Sequence, residues 1–423
     1  MNTIIKKLSM SLLSTMVVVS PIYAEENKTT DDKSNWTYNG QAVIYYQTAD
    51  NWGNGSLFDQ GPGTSTEGWA KAAAGLQLKA ENKDLFSGVG AGFEFSGISS
   101  LGLEGNIVSG LVQDAGGLND AAITQAYLTY ALNNTSFTWG RQELPRSLSP
   151  FAFSENWNPF KNTFEGFLVV NTDLADTVLV YANVAEHNNS TGDLTAFTDF
   201  YTAKNAANMI TAQNKSIENV TLTASYYWIP DVLYVDGSYV TDADALWLEA
   251  DIKLSGVSLA LQGGYLGGLS LPGTDDNTAY GAKLSGKVDT FSWQVAYSSA
   301  DDGTLNIANL AGEGVKSPLF TQGILNQNTI KRDSDTFKIS VAMPLAGGDF
   351  SVSYYNSDLG ATALSSVFGQ GNSGAGTYQE LDLVYTGKFD EKTKYFVGLI
   401  NQNDDRQVDE TQNVLRFWIR HFY

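Results

Sequence analysis

The feature that most restricts this chain is alternation with period two, repeated over segments of about ten residues along most of its length. In 36–47, Trp36, Tyr38, Gly40, Ala42, Ile44 and Tyr46 fall on one face of an extended strand, and Thr37, Asn39, Gln41, Val43, Tyr45 and Gln47 on the other. In 246–254, Leu246, Leu248, Ala250, Ile252 and Leu254 alternate with Trp247, Glu249, Asp251 and Lys253. The core of a water-soluble barrel rarely accepts three charges on its inner face, so the apolar face is read as meeting lipid and the polar face as meeting water. Phe291, Trp293, Val295 and Tyr297 against Ser292, Gln294, Ala296 and Ser298 repeat the rule, as do Phe337, Ile339, Val341 and Met343 against Lys338 and Ser340. Aromatic residues gather at segment ends, where the interfacial girdles of a membrane barrel sit.

Connection lengths give the topology. Short turns fall at 81–86, 133–134, 172–176, 230–231, 255–256, 288–290, 345–349 and 388–392. Between them lie longer polar or Gly-rich connections at 48–68, 97–120, 143–162, 187–217, 267–277, 300–333 and 357–376, with two shorter ones at 239–244 and 403–411. The strand-like segment 101–112 is placed inside the second loop, because counting it breaks the alternation of short and long. Eight turns and nine loops predict an all-β fold, a transmembrane antiparallel β-barrel of about 18 strands with both ends on the periplasmic side.

The first residues agree with an exported protein. Lys6 and Lys7 precede an apolar run over 8–19, followed by Ser20, Pro21 and a small-residue cleavage position near Tyr23 and Ala24. That is the layout of a secretory signal peptide over 1–24, leaving a barrel domain over 25–423. The run is too short to cross a bilayer as a helix, and no later stretch is long and apolar enough. The expected location is the outer membrane of a Gram-negative bacterium, in contact with lipid and lipopolysaccharide.

Composition removes several function classes. The chain has no cysteine, so disulfides, thiolate metal sites and thiol nucleophiles are excluded. A net charge of −21 argues against a nucleic-acid partner, which needs clustered cations, and leads to an expected cation preference for any water-filled lumen. The histidines are His187, on an expected loop, and His421, beside the last residue, and neither lies near a nucleophile pattern, so an enzyme is not expected. No cofactor is implied. The acidic pairs Asp275-Asp276 and Asp301-Asp302, with Asp404, Asp405, Asp409 and Glu410, offer oxygen ligands for Ca²⁺, though none has an EF-hand spacing and solvated acidic loops are the favoured reading.

Particular motifs add a resemblance. Trp139 to Leu144 (WGRQEL), followed by Ser149-Pro150 and by Asn162 to Gly166 (NTFEG), resembles the third-loop region of the OprD-type outer-membrane porin family. Phe153 to Phe160, Ser317 to Gln322 (SPLFTQ) and Leu325 to Gln327 are similar to the Campylobacter-like major outer-membrane porins of that family. The resemblance implies an 18-stranded channel for small hydrophilic solutes with an inward-folded third extracellular loop. It implies either a homotrimer, as in the Campylobacter-like branch, or a monomer. The last strand, 414–423, ends in an aromatic and resembles the signal read by the barrel-assembly machinery, apart from His421 where a hydrophobe is usual. Amino-acid-selective members carry a ladder of basic residues, whereas this chain has six arginines, which argues against selectivity for anionic carboxylates.

If the third loop narrows the pore, its charges Arg141, Glu143, Arg146, Glu155, Lys161 and Glu165 are the constriction candidates, with Arg141 and Glu165 favoured because each sits where a strand meets the loop. Lys316 and Arg332 of the seventh loop are further candidates for the lumen. Parity assigns Glu94, Glu249, Asp251, Lys253, Lys338, Glu380, Asp382, Arg416 and Arg420 to the lumen wall, since the lipid face cannot hold them cheaply. An adhesin or structural barrel remains the alternative to a channel, and barrel size discriminates, because small barrels fill their interiors with side chains.

Overall fold

Alternating aromatic, β-branched and small residues suit a pleated strand with one apolar face, and such strands hold stable structure only when their edges are paired. The computed structural model describes residues 35–50, 57–58, 70–103, 108–115, 119–188, 193–199, 205–235, 238–310, 316–367, 371–407 and 410–423. The segment read as an export signal lies outside the described residues.

The strands are β1 (Trp36–Ala49), β2 (Lys71–Phe86), β3 (Val89–Ser99), β4 (Gly110–Leu111), β5 (Asn119–Leu132), β6 (Thr135–Gln142), β7 (Phe164–Asn171), β8 (Thr177–Asn188), β9 (Phe197–Asp199) and β10 (Ala207–Asn214). They continue with β11 (Val220–Val235), β12 (Ser238–Leu254), β13 (Val257–Gly267), β14 (Asn277–Val288) and β15 (Phe291–Ala300). The last five are β16 (Ser334–Leu345), β17 (Gly348–Leu359), β18 (Gly376–Lys388), β19 (Thr393–Asp404) and β20 (Thr411–Phe422). The two-residue β4 runs parallel to β2, and the three-residue β9 pairs only with β8. The remaining 18 form one antiparallel ring, closed where β20 pairs with β1 from Gln41↔Phe422 to Ala49↔Val414.

Exposure follows the expected parity. Ile44, Leu76, Leu78, Phe93, Leu248, Tyr280, Phe337 and Ile339 stand on the outer face, all more than a third exposed. Their neighbours Val43, Tyr45, Gln77, Glu94, Trp247 and Ala279 are buried on the inner one. An outward apolar band around a closed ring of paired strands satisfies every backbone group without water, which is what a bilayer demands.

The strand number agrees with the sequence reading, but two boundaries do not. Residues 230–231, read as a short turn, lie inside β11, where Pro230 has no N–H and Asp231 has a φ of 57°, and the register against β12 slips between Ile229 and Leu233. The paired stretch instead runs on to Val235 opposite Ser238. Conversely β10, with its polar sequence ANMITAQN, was hidden in the stretch read as the fourth loop, and it pairs with β8 and β11. One strand too many and one too few cancelled. The first short turn also moves, from 81–86 to Ser87-Gly88, both at positive φ (49° and 81°), as a tight hairpin requires.

A glycine extends the closing seam by one more pair. Gly40 and Tyr423 exchange both backbone hydrogen bonds at 3.2 Å, and the Tyr423 hydroxyl crosses over to donate to the Gln77 carbonyl at 2.6 Å. A Cβ on Gly40 would stand 2.1 Å from that carbonyl oxygen and 2.6 Å from the Tyr423 hydroxyl. Gly40→Val is therefore expected to weaken the β1–β20 seam, shown as a lower midpoint for the heat-induced mobility shift of the folded barrel on a gel. An unchanged midpoint would remove the seam role.

Candidate permeation site

The described residues of two long connections, 143–163 and 301–333, pack against inward-facing wall residues. The Phe160 ring lies on Gly75 of β2, where a Cβ would come within 2.6 Å of the ring. Phe151 packs edge-on against Trp247 of β12 (centroids 5.3 Å apart) and Tyr227 of β11 (5.6 Å). On the β20 wall, Arg420 donates to the carbonyls of Pro159 (2.7 Å), Asn158 (2.5 Å) and Asn156 (3.3 Å) and to the side chain of Gln41 (3.0 Å). Arg416, two residues away on the same face, donates to Gln47 at 2.8 Å and lies 5.0 Å from the Trp157 ring. Both guanidiniums are buried.

Within 143–163 the expected constriction charges divide. Lys161 pairs with Glu143, which also accepts from Gln125. Gln125 continues to Glu94, buried on β3, whose oxygens accept from Gln77 (3.0 Å), Thr124 (2.7 Å) and Gln125 (3.0 Å). Arg146 reaches Glu249 of β12 at 3.5 Å and the carbonyl of Pro318. Glu155 joins the two long connections: it accepts from Asn309 Nδ2 at 3.0 Å, from the Lys316 backbone N–H at 2.6 Å and from Trp157 Nε1 at 2.7 Å. Burial pushes the Glu155 carboxyl above its usual range, and burial likewise pushes the Lys316 ammonium down, against the pull of Glu155.

Arg141 and Glu165 correct the sequence reading. They pair at 3.2 Å, but on the outer face, in line with Trp139 (67% exposed) and Phe167, at the long-loop rim. Arg141 there donates to the Ile123 carbonyl at 2.8 Å and stacks on Phe197 at 3.5 Å. The position at the strand end was right and the facing wrong, because a strand end gives no direction until its parity is counted from the outward Trp139.

The segment 316–325, which holds the SPLFTQ motif, is fastened to the wall at many points. Glu380 of β18 accepts from the backbone N–H groups of Ile324 (2.8 Å) and Leu325 (3.0 Å), and Thr321 bonds Ser298 of β15. The Gln262 amide of β13 faces the Pro318 carbonyl (3.3 Å) and the Phe320 N–H (3.0 Å), and bridges both when its nitrogen is turned to the carbonyl. Lys338 of β16 donates to the Gln322 carbonyl at 3.1 Å. Asp382 is buried two residues from Glu380 on the same inward face, while Asp251 and Lys253 follow Glu249 toward the short-turn end of β12. Arg332, the other seventh-loop candidate, does not line the cavity described next.

Between these parts lies a cavity of about 230 Å³ whose lining includes Arg146, Lys283, Lys316 and Lys338 with Phe153 and Phe320, and no carboxylate. Lys283, on β14, did not emerge from the sequence reading. The signal was present: it shares a face with Ala279 and Gly281, opposite the outward Tyr280 and Leu284. Among the described residues, no three carboxylate or imidazole groups come together to hold a metal. Of the acidic residues considered for Ca²⁺, Asp404 is paired with Arg406 at 2.8 Å, Asp405 accepts from the Thr377 N–H, and Asp409 lies outside the described residues.

No family model and no curated protein matches the chain in sequence. Solved structures match it as folds. Pseudomonas aeruginosa OccK9 (OpdG) superposes with a TM-score of 0.70 at 14% identity, over 92% of this chain and 98% of that one. Acinetobacter baumannii OccAB3 gives 0.69 at 13% identity, over 92% and 99%. P. aeruginosa OpdK, in a structure with vanillate, gives 0.68 at 12% identity, over 91% and 98%. The chain is thus an 18-stranded antiparallel β-barrel with the fold of the OprD and Occ porins of Gram-negative bacteria.

Proposed function

We propose that this protein is a porin of the outer membrane, a passive channel for ions and small hydrophilic solutes rather than an enzyme, narrowed where 143–163 folds inward to meet 301–333. The observation that carries this reading is the docking of both segments on inward-facing wall residues of an 18-stranded ring. A ring of that size encloses water unless loops fill it, and two loops held at one level make a sieve. His187 is buried against Phe164, and His421 bonds the Thr393 hydroxyl at 2.9 Å on an exposed site beside a short turn, away from both long connections.

The net charge of −21 led to an expectation of cation preference. The lining supports the opposite. Four cations line the cavity; the carboxylates nearest to them, among them Glu249 at 3.5 Å from Arg146 and Glu155, stand outside that lining, and acids such as Asp173, Asp176, Asp289 and Asp390 lie on short turns at the far end of the barrel. Ionic screening over about 8 Å leaves the nearest charges to decide ion preference. We therefore assign anion preference. Purified, detergent-folded protein in a planar bilayer under a KCl gradient is expected to show stepwise conductance with a reversal potential of anionic sign. A cationic sign would overturn the preference, and silent folded barrels would favour the adhesin or structural reading.

A further inference from the structure

We propose that the four-cation cavity is a binding site for a phosphate-type oxyanion, the dianionic group of inorganic phosphate or of a phosphomonoester. This rests on the channel reading above. The four cations come from four separate elements: Arg146 from 143–163, Lys316 from 301–333, Lys283 from β14 and Lys338 from β16. Carboxylates back these cations from outside the lining, Glu249 behind Arg146 at 3.5 Å and Glu155 near Lys316, while the lining itself holds cations and neutral groups, so a multiply charged anion in the space meets positive charge first.

The donor chemistry selects the anion's shape. A planar carboxylate is best met by the flat fork of arginine, and this cavity has one arginine and three lysines. Lysine ammoniums are compact point charges that donate from any direction, which suits an anion with acceptor oxygens on several sides. Their fixing contacts leave donors over. Lys338 commits one N–H to the Gln322 carbonyl at 3.1 Å, and Lys283 stands 4.4 Å over the Phe320 ring, a contact that uses no N–H. Gln294, Gln322 and Ser317 add neutral polar groups to the lining. At about 230 Å³ the space holds such an anion together with part of its hydration shell, since one water takes about 30 Å³ of liquid volume.

The test is chloride current through single channels at constant ionic strength, with added sodium phosphate, glycerol phosphate or sodium acetate, in the wild type and in the double variant K283Q/K338Q. Phosphate and glycerol phosphate are expected to reduce the current in a saturable manner, with acetate at least about tenfold weaker, and the double variant is expected to raise the half-blocking concentration about tenfold or more. Block by inorganic phosphate alone would support the site and assign it to the free ion; block by both would extend it to monoesters. Equal block by acetate would overturn the proposal in favour of general anion attraction. An anion-selective channel that phosphate does not block would overturn it while leaving the porin reading intact, whereas absent conductance would remove the porin reading itself. Unheated gel mobility reports that the variant barrel is folded, so a lost block in it is read as a lost site.

Discussion

Replacing Arg420 with alanine is expected to raise single-channel conductance and make it noisy, with the barrel still folded. Arg420 is buried and donates to three carbonyls of 156–159, so it fastens the middle of the 143–163 segment to β20. Hydrogen bonds to a charged group contribute about 1.5–3 kcal/mol each when the alternative is an unsatisfied buried partner. Water can reach some of the released carbonyls, so the net loss of docking is about 3–5 kcal/mol. That exceeds thermal energy several-fold and shifts the segment into a mixture of docked and released states. The barrel itself loses no backbone pairing, because Arg420 keeps its ladder position opposite Val43. Current traces in a planar bilayer check this, and a conductance equal to that of the wild type with no added noise would show that the segment is held elsewhere.

Replacing Glu155 with leucine is expected to loosen 301–333 as well. Three donors converge on this carboxylate, and leucine leaves Asn309 Nδ2, the Lys316 N–H and Trp157 Nε1 without it. Each orphaned buried donor costs about 1–3 kcal/mol, offset in part by no longer burying a charge, for a net of about 2–4 kcal/mol. Limited proteolysis should then cut within 301–333 faster, by about tenfold or more. The pH dependence has a definite sign. Glu155 holds its proton more tightly in the docked state than in an unfolded chain, so through this group stability falls as pH rises from the ordinary carboxylate range up through the raised folded value, and it is greatest in acid. The leucine variant should lose that slope. Lys331, pushed down to about 8 by burial, acts in the opposite direction above that pH. Identical proteolysis and identical pH slopes in variant and wild type would exclude Glu155 as the link.

Much of this was legible because it is local. Period-two alternation states the facing of a residue from its neighbours alone, so the assignment of Glu94, Glu249, Asp251, Lys253, Lys338, Glu380, Asp382, Arg416 and Arg420 to the inner face needs no partner strand. The 18-strand ring followed from the lengths of the connections, even though β10 and the irregular stretch of β11 at Pro230 were exchanged. Arg141 and Glu165 could have been placed outside by the same parity, counted from Trp139 and Phe167.

Tertiary structure decided which charges meet. Lys283 and Lys316 are far apart in sequence, and nothing local to either indicates that Lys338 and Arg146 stand at the same cavity. The segments 143–163 and 301–333 are held by long-range contacts, from Arg420 to backbone carbonyls, from Glu380 to backbone N–H groups and from Glu155 between the two segments. Such contacts join irregular backbone to a distant wall and have no sequence period. The sequence by itself determined a membrane-type barrel and the polarity of its two faces, because hydrogen-bond satisfaction and lipid allow one answer to that pattern. The grouping of Arg146, Lys283, Lys316 and Lys338 around one cavity was decided only when the ring closed and brought four cations of distant origin to one place.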